Sequence, residues 1–380
     1  MAPTPFKIVV PDAVLSDLHR RLVDTRWPDE APNSGWEYGS NLGYMKELIE
    51  YWAGEYDWRA SEAVLNRFQQ FTVPLDGIDL HFIHQPGVGP HPQPLLLSHG
   101  WPGSIWEFYK IIPMLTDPAR FGGDPNDAFT VVVPSLPGFG FSFAPNQRRF
   151  SIDDIADTFA SLMTGVLGYE RFVAAGGDFG ARVTDHLAYR YPDRVSAIHL
   201  SLVFVWPGTF NDRPATDDET RYYQELDEFI REGRGYAAIQ GTRPQTLAYG
   251  LTDSPAGLAS WIVEKFREWS DCGGDVERRF TKDELLTNIM VYWITGAVGS
   301  SFWPYYSRLH GDWADRPGPR VETPTGYAVF PAELSLPPRS LVERIYNIQR
   351  WSVMKAGGHF AALEEPAALA AEFRTFFRDY

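Results

Sequence analysis

The sequence predicts an α/β fold with a mainly parallel central sheet. Through the middle of the chain, short apolar runs alternate with helical patterns, and this alternation is typical of βαβ units whose helices cover both faces of the sheet. A long stretch without strand signals follows, and short apolar runs then return. The first set of predicted strands lies at 80–83, 94–97, 130–133, 172–175 and 197–203.

Residues 1–75 are predicted to form a helical segment ahead of the sheet. Leu15, Leu18 and Leu22 recur at helical spacing. After a stretch interrupted by prolines, a second apolar stripe is formed by Tyr44, Leu48, Tyr51 and Trp52. We therefore expect two separate helices in this segment.

Residues 206–320 are predicted to be a helical insertion in the sheet domain. Helix signals dominate there, including a capping box of Thr281 and Glu284. The flanking parts, 76–205 and 321–380, would together form the core. The second part contains predicted strands at 326–330 and 342–353 and a closing helix at 366–377. Because the sheet resumes after the insertion, we expect a cap over the carboxyl edge of the strands, where ligands bind in such sheets.

Composition excludes several classes of function. A net charge of −15 with a pI near 5.0 argues against a nucleic-acid partner, because phosphates are bound by clustered Lys and Arg. No apolar stretch is long enough to span a membrane. The N-terminus lacks a signal-peptide pattern, and Cys272 alone cannot form an internal disulfide, so we expect a cytoplasmic location.

The 15% aromatic content fits either an aromatic-rich core or a pocket for a bulky apolar ligand.

The strongest motif is Gly176-Gly177-Asp178-Phe179-Gly180, between a predicted strand and a predicted helix. Small residues two before and two after a nucleophile permit the sharp turn of a nucleophile elbow. Here the central residue is Asp178, and a carboxylate that attacks an sp³ carbon forms an alkyl ester. Epoxides and alkyl halides are the substrates that suit this chemistry. The alternative is that Asp178 only caps the following helix.

Loop 98–104, with sequence Ser-His-Gly-Trp-Pro-Gly-Ser, follows an earlier predicted strand. Backbone N–H groups of Trp101 and Phe179 would form an oxyanion hole for hydrolysis of the ester. We expect a cis peptide before Pro102, where such bonds occur. The alternative is an ordinary turn with His99 packed beneath it.

Hydrolysis of the ester needs a base, and His359 is the candidate among the histidines. It follows a late predicted strand, in a loop that would lie beside the elbow. Glu333, which follows the strand before it, completes the chain order nucleophile, acid, base; Glu322 precedes that strand and would point to the opposite end. The alternative for Glu333 is a solvated loop carboxylate. The histidines predicted to be structural are His81, His84, His186 and His199.

Opening an epoxide also needs a proton donor for the leaving oxygen, and tyrosine is suitable. The predicted insertion offers Tyr222, Tyr223, Tyr236, Tyr249, Tyr292, Tyr305 and Tyr306. Physical reasoning does not select among them. We expect no cofactor and no metal, because the sequence has neither a His or Cys cluster at ligand spacing nor a nucleotide-binding glycine loop. The glycine-containing stretch 135–142 is interpreted as a loop at the sheet edge.

Taken together, these motifs resemble the family of microsomal and juvenile hormone epoxide hydrolases over nearly the whole chain. The matching segments are Thr25-Arg26-Trp27-Pro28, Tyr56-Asp57-Trp58-Arg59, the 98–104 loop, the elbow, Pro324-Thr325-Gly326-Tyr327, Phe330-Pro331-Ala332-Glu333 and 357–366. The resemblance implies an α/β-hydrolase fold and an N-terminal segment that wraps the core and helps to hold the cap. It also implies Tyr236 and Tyr305 as the proton donors, with Tyr306 as an alternative to Tyr305.

The predicted function is hydrolysis of an epoxide to a vicinal diol through an ester on Asp178. A bulky or aromatic epoxide is expected, and some bacterial members that the chain resembles act in enediyne antibiotic biosynthesis. The alternatives are a haloalkane dehalogenase, although Phe179 occupies the position where those enzymes often have a halide-binding tryptophan, and a binding protein without activity. An ester or peptide hydrolase is disfavoured because the elbow lacks Ser and Cys. The expected partners are the epoxide and water, and a homodimer is the commonest oligomer.

Overall fold

A sheet with a parallel majority runs through the molecule, as predicted. The computed structural model describes residues 2–210, 213–311 and 320–380. Within these ranges the sheet has nine strands in the order β1-β2-β3-β5-β4-β6-β7-β8-β9. Their bounds are β1 Thr4–Phe6, β2 Gln70–Leu75, β3 Ile78–Gln85, β4 Gln93–Ser98, β5 Phe129–Pro134, β6 Phe172–Gly176, β7 Val195–Leu200, β8 Val321–Val329 and β9 Tyr346–Val353.

The centre of the sheet determines where the functional loops lie. Strands β1, β2, β3 and β5 pair antiparallel, whereas β5, β4, β6, β7, β8 and β9 pair parallel. Ser98 at the end of β4 pairs with Gly176 at the end of β6. Both strands therefore end at the same level, and the segments that follow them meet at the carboxyl edge of the sheet.

Helices flank the sheet and fill the long connection between β7 and β8. Before that connection lie α1 Asp12–Val23, α2 Leu42–Gly54, α3 Trp58–Leu65, α4 Ile111–Thr116, α5 Ile152–Ser161 and α6 Asp178–Arg190. Within it lie α7 Asp217–Glu228, α8 Gly235–Thr242, α9 Pro244–Asp253, α10 Pro255–Glu268, α11 Lys282–Thr295 and α12 Trp303–His310. After it lie α13 Arg339–Val342, α14 Ala361–Glu364 and α15 Pro366–Phe377. Short 3₁₀ or π turns occupy Ile105–Phe108, Pro118–Phe121, Pro125–Asp127, Gly140–Ser142, Leu162–Val166, Phe229–Gly233, Val276–Arg278 and Ser300–Phe302.

Most predicted elements are present, including the closing helix α15 and the capping box at the start of α11. The prediction for the N-terminal segment was incomplete, because it missed β1 and β2. Strand β1 has only three residues, and Pro74 inside β2 weakens a strand pattern. Strand β1 pairs only with residues 70–72 of β2. Pro74 lies beyond this paired part, so its missing N–H group costs no hydrogen bond between β1 and β2. Strands β7 and β9 are also shorter than predicted, since β7 ends at Leu200 and Val342 belongs to α13.

The N-terminal segment contacts the helices of the insertion directly. Arg21 in α1 donates to the backbone carbonyl of Asp253 and forms an ion pair with its side chain. Tyr56 and Ser61 both form hydrogen bonds with the hydroxyl group of Thr287 in α11, at 3.0 and 2.8 Å. These contacts connect the first 75 residues to the part of the chain between β7 and β8. Residues 211–212 and 312–319 of the predicted insertion lie outside the described residues.

A helix that spans a membrane needs about 20 consecutive, mainly apolar residues. In the described part of the chain, no single helix has the necessary length and apolar composition. One pair of helical segments has this length and composition only when its two parts are counted together: Lys282–Thr295 and Ser300–His310, which are bent by 105° relative to each other.

Candidate active site

Asp178 lies at a sharp turn between β6 and α6. Its φ angle is +48°, in a region that costs a residue other than glycine about 1–3 kcal/mol and that recurs at functional sites. The flanking glycines are needed for space: a Cβ atom on Gly180 would collide with the carbonyl group of Ser98, and one on Gly176 would collide with the backbone of Gly180. The local sequence therefore folds into the predicted elbow and presents Asp178 at the edge of the sheet.

The Asp178 carboxylate binds the loop that follows β4. The N–H group of Trp101 donates to Oδ1 over 2.9 Å, and the Trp101–Pro102 peptide is cis, as predicted. Burial raises the pKa of Asp178, whereas His359 and the N–H groups of Trp101 and Phe179 lower it. Both predicted oxyanion donors thus act on this carboxylate. Its contact with Trp101 shows that it does more than cap α6.

His359 lies between two carboxylates. Its Nε2 is 3.6 Å from Asp178 Oδ2, and its Nδ1 is 2.6 Å from Glu333 Oε1. An isolated parallel bridge between Ala332 and Gly358 holds the loops after β8 and β9 side by side and brings Glu333 to the imidazole. Glu333 is 7% exposed, so the interpretation as a solvated loop residue is wrong.

The charges around His359 favour its protonated form. Burial alone would lower the pKa of the imidazole, but Glu333, Asp178 and Glu107 outweigh burial and raise the pKa to about 9. Because one of these charges belongs to Asp178, a change in the charge of Asp178 changes the basicity of His359.

Tyr236 and Tyr305 line the same pocket as Asp178. The rings of Tyr236 and Trp101 stack with centroids 5.3 Å apart, and the rings of Tyr305 and Phe179 meet edge to face at 4.8 Å. A hydrogen bond between the two tyrosines lowers the pKa of Tyr236 and raises that of Tyr305, while burial raises both strongly. Tyr306 instead stacks on Trp303 and His310.

The remaining candidate tyrosines have other surroundings. Tyr292 donates to the carbonyl group of Gly103, Tyr222 forms hydrogen bonds with Val205 and Ser335, and Tyr249 is 74% exposed. Tyr223 packs beside Tyr222, with ring centroids 5.3 Å apart. Thus Tyr236 and Tyr305 line the pocket of Asp178, whereas none of these four tyrosines is among the described residues that line it.

The pocket next to Asp178 has a volume of about 70 Å³ and largely aromatic walls. The ring of Phe204 stacks on Trp206 at 4.7 Å and on Phe229 at 5.9 Å. Arg234 and Arg308 lie over the ring of Trp206, at 4.7 and 4.6 Å from its centroid. A larger cavity of about 330 Å³ lies between residues 25–45 and α10, but its described lining includes none of the predicted catalytic residues.

Glu107 is a site residue that sequence reasoning missed. It lines a small cavity of about 30 Å³ together with Gly177, Ser201 and His359. Burial raises its pKa to about 8, with further contributions from the charges of Asp178 and Glu333, while His359 lowers it. Glu107 is the one charged residue in the run 105–108, directly after the loop that carries Trp101. The signal that the sequence offers for Glu107 is a single carboxylate within an otherwise apolar run.

The histidines that were predicted to be structural contact other residues of the fold. His81 lies between Gln70 and Ser135, His84 contacts Tyr169, His186 contacts the Arg182 carbonyl, and His199 lies near Glu372. His99 packs under its own loop, with Nδ1 near the Gly100 carbonyl and Nε2 accepting from the N–H of Leu136. Among the residues that the structure describes, no group of three or more His, Cys, Asp or Glu side chains could hold a metal ion.

Comparison with known proteins supports one family. A model of the epoxide hydrolase N terminus matches residues 3–108, and a model of the α/β-hydrolase fold matches residues 93–236. Epoxide hydrolase 1 of Oryctolagus cuniculus is 38% identical over 401 residues, which cover 98% of this chain and 88% of the rabbit protein. The chain belongs to the epoxide hydrolase family. A Stigmatella aurantiaca protein named as a candidate epoxide hydrolase is 44% identical, over 99% of this chain and 84% of its own length.

Solved structures of epoxide hydrolases agree with this assignment. The juvenile hormone epoxide hydrolase of the silkworm Bombyx mori superposes with a TM-score of 0.84 at 30% identity and covers 100% of this chain and 94% of its own. The Aspergillus niger epoxide hydrolase gives a TM-score of 0.86 at 29% identity, with coverage of 100% and 97%. The predicted α/β-hydrolase fold and the prediction of an enzyme are therefore confirmed.

Proposed function

We propose that this epoxide hydrolase family member converts an epoxide and water to a vicinal diol through an ester on Asp178. The observation that carries the proposal is the arrangement around one carboxylate. Oδ1 of Asp178 accepts from the Trp101 N–H, Oδ2 faces Nε2 of His359, and two tyrosines line the pocket beside them. An elbow carboxylate with a base and proton donors matches nucleophilic opening of a three-membered ring.

In the first step, Asp178 Oδ2 attacks a carbon atom of the epoxide. A bond from Oδ2 to carbon forms while the carbon–oxygen bond of the ring breaks, and a proton from Tyr236 or Tyr305 goes to the leaving oxygen. Burial keeps both tyrosines protonated until this charge develops.

In the second step, water attacks the ester carbon of Asp178. The negative charge develops on Oδ1, which the N–H groups of Trp101 and Phe179 stabilise. The oxygen of the water bonds to the ester carbon while His359 accepts one proton of the water. When the intermediate collapses, the bond from that carbon to Oδ2 breaks, and Oδ2 leaves with the diol and takes the proton from His359. The Asp178 carboxyl group that remains gives its proton to the tyrosinate, which restores the carboxylate. Esterification removes the charge of Asp178, which is one cause of the raised pKa of His359. The pKa of the imidazole therefore falls when the ester forms, so that a larger fraction of His359 is neutral and able to accept a proton near neutral pH.

Glu107 is proposed to hold the attacking water. The cavity that it shares with His359, about 30 Å³, exceeds the roughly 10–15 Å³ that a water molecule needs. A water bound there would have a carboxyl group and the imidazole as polar partners. This arrangement places the nucleophile of the second step next to its base.

The proposed substrate is a bulky or aromatic epoxide. The rings of Phe204, Trp206 and Phe229 line the pocket next to Asp178, and aromatic walls bind aromatic or extended apolar groups. The epoxides that occur in antibiotic or aromatic metabolism are therefore suitable classes to examine.

A single-turnover reaction in ¹⁸O water tests the mechanism. Enzyme in excess over a styrene oxide-type substrate is quenched, and the peptide containing Asp178 and the diol are analysed by mass spectrometry. Label in Asp178, with unlabelled diol in the first turnover, is the expected result, because water attacks the ester carbon. Asp178→Ala serves as the inactive control.

The opposite distribution of label would overturn the proposal. If the diol contains ¹⁸O after one turnover and Asp178 does not, water attacks the epoxide directly and Asp178 is not the nucleophile. A parallel assay for halide release from haloalkanes tests the dehalogenase alternative.

A further inference from the structure

Helix α11 holds the loop that supplies the Trp101 N–H group. Residues 101–104 have no helix or strand pairing of their own, so side chains must fix their conformation. The amide Nδ2 of Asn288 donates to the Pro102 carbonyl over 2.8 Å, and the Ser104 hydroxyl donates to Oδ1 of Asn288 over 2.8 Å. Four residues later on the same helix face, the Tyr292 hydroxyl donates to the Gly103 carbonyl over 2.6 Å.

The orientation of the Asn288 amide follows from chemistry. The Pro102 carbonyl can only accept, so Nδ2 must face it, and Oδ1 is then the acceptor for Ser104. Asn288 has 0% exposure, and Ser104 and Tyr292 are also buried. Water does not replace these bonds easily, and an unpaired group at this depth is costly. The amide therefore fixes the backbone on both sides of Gly103.

We propose that Asn288 is a positioning residue for the Trp101 N–H group and acts mainly in ester hydrolysis. The inference rests on the proposed two-step function. During ring opening, Asp178 loses negative charge, and the bond from Trp101 to Oδ1 becomes weaker. During ester hydrolysis, full negative charge develops on Oδ1, and the position of the donor matters most. Loss of the Asn288 amide therefore slows the second step selectively.

The chain offers a matched control one residue away. The Thr287 hydroxyl is also fully buried on α11, but its partners, Tyr56 and Ser61, belong to the N-terminal segment. Asn288→Leu and Thr287→Val each remove buried hydrogen bonds of the same helix. Only the first variant affects the loop that carries Trp101. Tyr292→Phe is a milder second variant that removes one hydroxyl group bonded to that loop.

Quenched-flow mass spectrometry of the Asp178 peptide measures formation and decay of the ester separately, with a styrene oxide-type substrate. For Asn288→Leu, we expect ester hydrolysis about 10- to 100-fold slower, below the loss for deleting an oxyanion donor. Ring opening stays within about twofold. As a result, kcat and KM fall together. Tyr292→Phe shows the same selectivity to a smaller degree, and Thr287→Val leaves both rates unchanged.

Other results would overturn the inference. Equal slowing of both steps in Asn288→Leu and Tyr292→Phe, or no slowing in either, would show that these residues only pack the helix against the loop. The same selective loss in Thr287→Val would assign the effect to the stability of α11. If the wild-type enzyme forms no ester on Asp178, the proposed function itself fails, and this inference fails with it.

Discussion

Nδ1 of His359 lies 2.6 Å from Oε1 of Glu333, and the two side chains are only 3% and 1% exposed. A short contact between a carboxylate and an imidazole, shielded from water, fixes the tautomer of the ring and leaves Nε2 facing Asp178. Glu333 Oε1 also accepts from the N–H of Leu334, which holds the carboxylate in place. The orientation and basicity of His359 therefore both depend on Glu333.

Replacing Glu333 with Gln is expected to lower the pKa of His359, because the neutral amide no longer stabilises the imidazolium. The rate of ester hydrolysis should fall about 10²- to 10⁴-fold, since loss of the acid disturbs the tautomer of the base. The acidic limb of its pH profile should move to lower pH, because a weaker base is protonated only at a lower pH. Single-turnover measurements from pH 5 to 10 test this shift. Glu322→Gln is the control, since Glu322 is solvent-exposed at the start of β8.

His359→Gln is expected to open the epoxide but to retain the ester. Without a base, the second step should slow by about 10²-fold or more, so the mass of the Asp178 peptide should increase by that of the substrate and stay there. Intact-protein mass spectrometry after mixing detects the adduct. His91→Gln, at an exposed position, should turn over normally. Full turnover by His359→Gln would contradict the assignment of the base.

The elbow was predictable because its contacts are local, and the order of the proposed catalytic residues was predictable from the order of the strands. Gly176 and Gly180 are required by backbone contacts within the turn, and the chain order of Asp178, Glu333 and His359 follows from successive strands of a parallel sheet. In contrast, the roles of individual tyrosines depend on how helices α8 and α12 pack over the sheet. Spacing along the chain carries no information on that packing.

Glu107 and β1 are two features of the structure that the sequence did not predict. The importance of Glu107 arises from a cavity formed by loops far apart in sequence, so no motif marks it. Strand β1 has three residues and exists because β2 offers an edge, not because its own sequence favours a strand. Such features depend on tertiary contacts rather than on local preference.

Tyr236→Phe and Tyr305→Phe are each expected to slow ring opening by about 10- to 100-fold, and the double variant to slow it by about 10²- to 10⁴-fold, the usual range for general acid catalysis. Each single variant keeps one donor, so the loss in the double variant should be at least the product of the two single losses. The rate of ester formation under single-turnover conditions measures the effect. Tyr306→Phe should react like the wild type, because Tyr306 stacks on Trp303 and His310. A larger loss in Tyr306→Phe than in Tyr305→Phe would reverse the assignment.

Glu107→Gln is expected to slow ester hydrolysis by about tenfold while ring opening continues at its normal rate, because the proposed role of the carboxyl group is to hold the attacking water and not the epoxide. Burial raises the pKa of Glu107 to about 8, so the charge of the group changes in the range where the enzyme is assayed. The variant cannot titrate, and any dependence of the hydrolysis rate on this group should disappear. Rapid-quench rates between pH 6 and 10 test both points. Equal slowing of both steps would show that Glu107 supports the site structurally instead.

Glu372 is expected to stabilise the fold at neutral pH and to lose this effect in acid. Burial alone would raise its pKa, but the His199 imidazole 3.6 Å away and the hydrogen bonds from Arg350 and Ser352 lower the pKa to about 2. Arg350 binds both carboxylate oxygens, at 2.7 and 2.9 Å. A lowered folded-state pKa means that the contribution is complete above the unfolded-state value, roughly 4.3, and declines as the pH falls toward 2.

Glu372→Gln should therefore lower the free energy of unfolding by about 1–3 kcal/mol at pH 7, the usual contribution of hydrogen bonds to a charged group. The difference from the wild type should shrink as the pH falls from 5 toward 3, because the wild-type carboxylate then loses its advantage over the amide. Urea denaturation at several pH values measures both quantities, with Glu322→Gln as an exposed control. A difference that stays constant with pH would show that packing, and not the charge of Glu372, stabilises this part of the sheet.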